Sequence, residues 1–241
     1  MGPRPRYDLV GRGGLTRCRA NDSEGQRFLV IIAIDGPAAS GKGTLARRLA
    51  RHYGLKHLDT GRIYRAVAAL VLARGEDLDD IACTLNAAQG IDLDALAGMD
   101  LASDAIGEAA SRVAVHPPLR SVLVERQRAF ANDAATNGRG AVLDGRDVGT
   151  VVLPNASVKL FVTADVATRA RRRALELYGE AQGPRYDALC EALTRRDTRD
   201  AERPVGALKP AQNALLLDTS GMDADAVFKN ALGLVENAAS A

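Results

Sequence analysis

Phe28-Leu29-Val30-Ile31-Ile32-Ala33-Ile34 runs directly into Asp35-Gly36-Pro37-Ala38-Ala39-Ser40-Gly41-Lys42-Gly43-Thr44. The apolar run is too short for a helix and reads as a buried strand. Thr44–Tyr53 follows with Leu45, Leu49 and Tyr53 on one helical face. Gly36 to Lys42 matches Gly-x-x-x-x-Gly-Lys in the strand–loop–helix setting that gives this motif its meaning. The glycines let the backbone curl so that successive N–H groups point inward at a phosphate. The helix that follows aims its positive end at the same point, and Lys42 adds a full charge. An ordinary glycine-rich turn is the alternative, and the matching spacing and flanks weigh against it. Gly36, Pro37, Ala38, Ala39, Ser40, Gly41, Lys42, Gly43 and Thr44 are therefore the expected phosphate-donor site. Gly43 stands where Ser or Thr usually follows the lysine, so no loop hydroxyl is expected to ligate a metal ion directly.

Outward from this stretch, short apolar runs alternate with helical patterns. Leu55–Leu58, Ala141–Leu143, Val158–Val162 and Ala214–Leu217 read as strands. Ile63–Ala73, Leu78–Ala88, Leu101–Val115, a helix opened by Pro117-Pro118, 166–178, 185–199 and Ala224–Val235 read as helices. Asp165 is placed to cap the helix after it. This alternation predicts an α/β fold, a parallel sheet with helices on both faces. The first 27 residues carry six arginines and three acids without apolar periodicity. They read as a disordered leader or an upstream mis-assigned start, with one folded domain from about Val30 to the C-terminus.

Composition narrows the function classes. Of 241 residues, 46% are hydrophobic, enough for a sizeable core, and Lys+Arg 32 against Asp+Glu 30 leaves +2. That balance, with 4% aromatics, gives no general pull toward nucleic acid or membrane. Cys18, Cys83 and Cys190 are odd in number and scattered, which argues against disulfides and structural zinc and for a reducing cytoplasm. The three histidines fall outside the chemistry-bearing motifs and read as packing or surface. No interface pattern is evident, so a monomer is expected.

Three further segments stand out. Leu58-Asp59-Thr60-Gly61-Arg62-Ile63-Tyr64-Arg65 reads as a turn delivering Thr60 and then a helix carrying Arg65; alone, it is equally a capped helix with surface arginines. Asp144-Gly145-Arg146-Asp147-Val148-Gly149-Thr150 lies at the end of a buried strand, where ligands of parallel sheets sit. Arg195 to Pro204 is so densely charged that, alone, it reads as an exposed face.

Together with the phosphate loop, these segments resemble the bacterial cytidylate kinases. The family pattern is met by Asp35–Thr44, Asp59–Arg65, Asp144–Val152 and Arg196–Arg203, in that order. The resemblance implies a P-loop α/β/α kinase that transfers the γ-phosphate of ATP to CMP or dCMP, with Mg²⁺ held mainly by the nucleotide phosphates and no protein metal ligand. It also implies a helical acceptor region at about 62–137 and a short helical lid at about 166–206, hinged near Gly179–Gly183. Carried over by residue, Thr60 and Asp200 correspond to ribose contacts, and Ser111, Arg120 and Asp147 to the base-recognition set. Asp144 stands with the acceptor residues. Arg65, Arg146 and Arg203, with Arg196 beside them, correspond to the clamp on the acceptor phosphate. Arg172 and Arg173 lie where the family's lid faces the donor. The expected catalytic set is Lys42, Arg146, Arg172, Arg196 and Arg203. Residues 76–107 are short for the antiparallel insert that many members carry. Kinases of adenylate, uridylate or shikimate on the same scaffold are the nearest alternative, and an ATPase switch or nucleic-acid-binding ATPase a remoter one.

Overall fold

The computed structural model describes residues 30–240, so the leader expected at the N-terminus lies outside the described residues. The strand β1 (Val30–Asp35) leads into the helix α1 (Lys42–Tyr53), followed by β2 (Lys56–Asp59) and α2 (Thr60–Ala73). Three helices come next: α3 (Ile81–Gln89), α4 (Asp104–Val113) and the long α5 (Pro117–Asn137). Then come β3 (Gly140–Gly145), β4 (Val158–Thr163), α6 (Val166–Tyr178), α7 (Pro184–Ala201), β5 (Leu215–Asp218) and α8 (Ala224–Ser240). Residues 76–107 hold α3, a 3-10 turn at Ala95–Gly98 and the start of α4, and no strand.

The sheet has five strands in the order β2-β3-β1-β4-β5, every neighbouring pair parallel. Alternation along β1 builds two cores. Ile32 and Ile34 pack toward α1 and α8 with Leu45, Leu49 and Ala231, while Ala33 faces the opposite side with Leu119, Leu123 and Val67 from α5 and α2. This is the three-layer α/β arrangement expected. Among the described residues no helix is long and apolar enough to cross a membrane.

The local chemistry moves several boundaries. Asp59 Oδ1 accepts the Arg62 N–H at 3.2 Å, so α2 starts at Thr60 and this residue is helical rather than part of a turn. Ser103 Oγ accepts the Ile106 N–H at 3.2 Å, which starts α4 at Asp104 instead of Leu101. Asp165 caps α6 as expected, accepting the Thr168 N–H at 2.6 Å. Val148–Val152 forms a single π-helical turn directly after β3.

Parallel register brings the motifs to one edge. Asp35 is level with Gly145, Asp59 with Asp144, and Thr163 with Asp218. The loops after β1, β2, β3, β4 and β5 therefore leave the same end of the sheet.

Candidate active site

The phosphate loop begins where β1 passes close to β4. A Cβ at Gly36 would lie 2.0 Å from the Val162 carbonyl oxygen, which only glycine avoids. Gly41 adopts the left-handed conformation (φ 86°) and α1 opens at Lys42. The Lys42 ammonium folds back over the loop and donates to the Pro37 carbonyl at 3.1 Å. Thr219, fully buried beyond β5, places Oγ1 3.2 Å from the Ser40 carbonyl and 3.0 Å from that of Thr163. The same Oγ1 accepts from Arg172 at 3.0 Å, and Arg172 also donates to the Thr219 and Met222 carbonyls. Arg172 thus stands beside the phosphate loop, close to Gly41.

The three further charged segments, remote in sequence, meet beside this loop. Thr60, Ser111, Arg120, Arg146, Asp147, Arg196, Asp200 and Arg203 all line one cavity. At its floor the Asp200 carboxylate is fully buried. Its Oδ2 accepts from Arg146 Nε at 2.8 Å, and its Oδ1 accepts from Arg203 and, at 3.4 Å, from the Ser111 hydroxyl. The charged run that reads alone as an exposed face is therefore turned inward at Asp200 and Arg203. On the facing wall, Asp147 accepts from the buried guanidinium of Arg120. Thr60 Oγ1 donates to the Asp144 carbonyl at 2.8 Å.

Two expected residues sit just outside the cavity lining. Arg65 donates to the Leu101 and Ser103 carbonyls at 2.6 and 3.3 Å. Gly107 makes room for it: a Cβ there would lie 3.0 Å from Arg65 Nη2 and 3.3 Å from Arg196 Nη1. Asp144 pairs instead with His57, whose Nε2 is 2.8 Å from Oδ1. His57 thus corrects the reading of the histidines as remote from the motifs; β2 lies next to β3, which sets the two side by side. Arg173 is a second correction. It donates to Asp104 Oδ1 and the Ala102 carbonyl, both at 2.8 Å, and so faces α4, not the donor loop. Adjacent residues on a helix point about 100° apart, so Arg172 and Arg173 have no common target.

Sequence reasoning missed other participants. Tyr64 lines the cavity, and its ring lies 5.9 Å from the Arg120 guanidinium carbon. Gly206 (φ 69°) crosses directly over the Arg120–Asp147 pair: a Cβ there would lie 2.0 Å from Arg120 Nη2 and 2.5 Å from Asp147 Oδ2. Arg169, nearly buried, joins α6, α7 and the phosphate loop. It pairs with Asp197 at 2.5 Å and donates to the Ala38 carbonyl at 3.2 Å. The α6–α7 pair has its own small core of Ala170, Ala174, Leu189 and Leu193.

The electrostatics join the two halves. Burial, and next the charge of Arg146, lower the Lys42 ammonium to about 7, with Asp144 and Asp59 opposing. Arg196 is pushed down to about 10 by burial and then by Arg146. Burial alone would raise the Asp200 carboxyl, but Arg146, Arg203 and Arg196 together hold it below its ordinary range. The Nε atoms of Arg120, Arg196 and Arg203 are buried with no hydrogen-bond partner among the described residues. Such donors are costly unless an anion or a polar ligand meets them. Excess cationic charge with unspent donors suits phosphate.

Among the described residues, no group of three or more His, Cys, Asp or Glu is gathered to hold an ion. A Cβ at Gly43 would lie 3.5 Å from Asp144 Oδ2, so that carboxylate borders the phosphate loop at the position that lacks a hydroxyl. This donor set fits a Mg²⁺ that arrives on nucleotide phosphates and keeps most of its water.

A family model described as cytidylate kinase matches residues 32–237. A protein named cytidylate kinase from Methylocella silvestris is 51% identical over 209 residues, covering 87% of this chain and 95% of its own. Another of that name from Brucella suis biovar 1 is 52% identical over 208 residues, covering 86% and 93%. A solved structure of an uncharacterized protein from Eubacterium ventriosum overlies 87% of this chain and 99% of its own, with a TM-score of 0.49 and 15% identity.

Proposed function

The chain belongs to the cytidylate kinase family, and from that premise we propose that it transfers the γ-phosphate of ATP to CMP and dCMP, giving ADP and CDP or dCDP. The observation that carries this reading is the shared cavity, in which a base-recognition pair (Arg120 and Asp147) and an arginine cluster stand beside the phosphate loop.

The donor binds over Gly36–Thr44, with Lys42 on its outer phosphates and Arg172 of the lid beside them. CMP enters the cavity. Thr60 and Asp200 hold the ribose, and Arg65, Arg146, Arg196 and Arg203 neutralise its phosphate. Mg²⁺ would be held mainly by the ATP phosphates and water, at the edge of the phosphate loop that Asp144 borders, and would supply charge neutralisation when bound. ATP and CMP bring about four and two negative charges, which repel strongly where water is excluded. Lys42 and the arginines offset that repulsion. The attacking phosphate oxygen is already anionic, so positioning and charge stabilisation suffice without a general base. In this reading α6 and α7 form the lid over 166–206, which limits transfer to water, and 62–137 forms the acceptor region.

Base choice follows from hydrogen bonding. Asp147 accepts from the cytosine amino group while Arg120 and Ser111 donate to the ring. Uracil sets a carbonyl against the carboxylate, and a buried polar group without a partner costs about 1–3 kcal/mol. The enzyme acts as a cytoplasmic monomer in this account. Coupled detection of ADP with each nucleoside monophosphate tests the assignment. CMP and dCMP are expected to be phosphorylated far faster than UMP or AMP; preference for either of the latter would overturn it.

A further inference from the structure

We infer that Asp35 is a positioning residue for base recognition, fixing the loop that carries Asp147 from the strand that ends in the phosphate loop. The inference rests on the assignment of Asp147 to the cytosine amino group. Asp35 is the last residue of β1, directly before Gly36, and is 3% exposed. Its Oδ1 accepts the Val148 N–H and its Oδ2 the Gly149 N–H, each at 2.7 Å. These N–H groups open the π turn Val148–Val152, where the backbone itself supplies no acceptor. The Asp147 carbonyl accepts from Val151 at 2.8 Å and from Val152 at 3.2 Å, closing that turn. The peptide on the C-terminal side of Asp147 is thus clamped, and its carboxylate is left to meet Arg120.

A carboxylate does here what other side chains do not. Two adjacent N–H donors need two acceptor oxygens, and a charged acceptor makes both bonds stronger. Burial raises the Asp35 carboxyl to about 6, with the two N–H groups opposing, so the group is still largely ionised at neutral pH. An asparagine keeps the size but turns an amide N–H₂ against one of the backbone donors. The base-recognition loop is then released on one side while no atom that contacts either nucleotide has changed.

The experiment compares Asp35→Asn with Asp147→Ala and the wild type, measuring kcat and KM for CMP, UMP and ATP. Asp35→Asn is expected to raise the CMP KM about tenfold and to lower the CMP-over-UMP ratio of kcat/KM by a similar factor, with the ATP KM within about twofold. An equal rise in both KM values, or an unchanged ratio, overturns the inference. Gly149→Ala guards against misfolding of Asp35→Asn. A Cβ there would lie 3.3 Å from Asp35 Oδ2 and 3.3 Å from the flexible Lys159 side chain, pressing the carboxylate away from its donor. It is expected to give the same selective loss at about threefold, and an unaltered ratio in that variant likewise overturns the inference. If Asp147→Ala erodes discrimination and both other variants keep it, the positioning role fails and base recognition by Asp147 stands. If Asp147→Ala itself keeps discrimination, base recognition by Asp147 fails and the inference falls with it.

Discussion

Arg146 donates through Nε to Oδ2 of Asp200 across 2.8 Å, tying the loop after β3 to the last turn of α7. The same carboxylate also holds Arg203 and lies within 4.0 Å of Arg196 Nε. One buried acid therefore sets the spacing of three guanidinium groups that would otherwise repel.

Asp200→Asn is expected to destabilise the protein by about 3 kcal/mol, since it leaves buried arginines uncompensated. It should also raise the CMP KM well above any change in the ATP KM. The carboxyl is held below its ordinary value of 3.8 in the fold, so its stabilising contribution is complete above that value. That contribution is lost as pH falls through the lower native value. Thermal melts of both proteins over acidic pH check this: their difference should narrow only at the acid end.

Lys42 gives a second test. With its ammonium lowered to about 7, the free protein has lost much of this proton at pH 8. Bound phosphate favours the charged form, so ATP binding above neutrality is expected to take up a proton. Calorimetry at about pH 8 in buffers of different ionisation heat measures the uptake, and Lys42→Met should abolish it. The same variant should lower kcat by at least about a hundredfold with an unchanged circular dichroism spectrum.

Gly206→Ala places a Cβ onto the Arg120–Asp147 pair at a backbone angle that L-residues rarely adopt. Calorimetric CMP affinity is expected to fall more than tenfold while ATP affinity is retained. The melting temperature should drop as well.

Arg172 and Arg173 separate cleanly. Arg172→Ala should raise the ATP KM about tenfold, because its guanidinium is seated beside the phosphate loop. Arg173→Ala should leave the ATP KM within about twofold and alter only the half-exposed contact with Asp104, worth about 1 kcal/mol or less. A steady-state ATP titration of both variants decides the matter.

Much of this is legible in the sequence itself. Strand runs alternating with helical faces fix a parallel sheet, and parallel register carries the ends of β1, β2 and β3 to one edge, so the motifs had to meet. What escaped depends on distances between strands and on side-chain direction. Nothing around His57 in sequence marks it; it becomes a neighbour of Asp144 because β2 pairs with β3. The π turn at Val148–Val152 depends on a carboxylate 113 positions earlier. Arg173 parted from Arg172 because one step along a helix turns a side chain away, which a family pattern of paired arginines does not encode. The charged run near Arg203 was ambiguous because its burial comes from partners on other elements.

Thr219 carries a consequence for how the enzyme comes into being. Its hydroxyl meets the Ser40 carbonyl, 179 positions earlier, and steadies Arg172. A nascent chain will thus display the glycine-rich motif long before it has the threonine that braces it. Competence to handle nucleotide arrives only once β5 and the residues after it have been made, and fragments that stop short of β5 should be catalytically inert even where their first strands have folded.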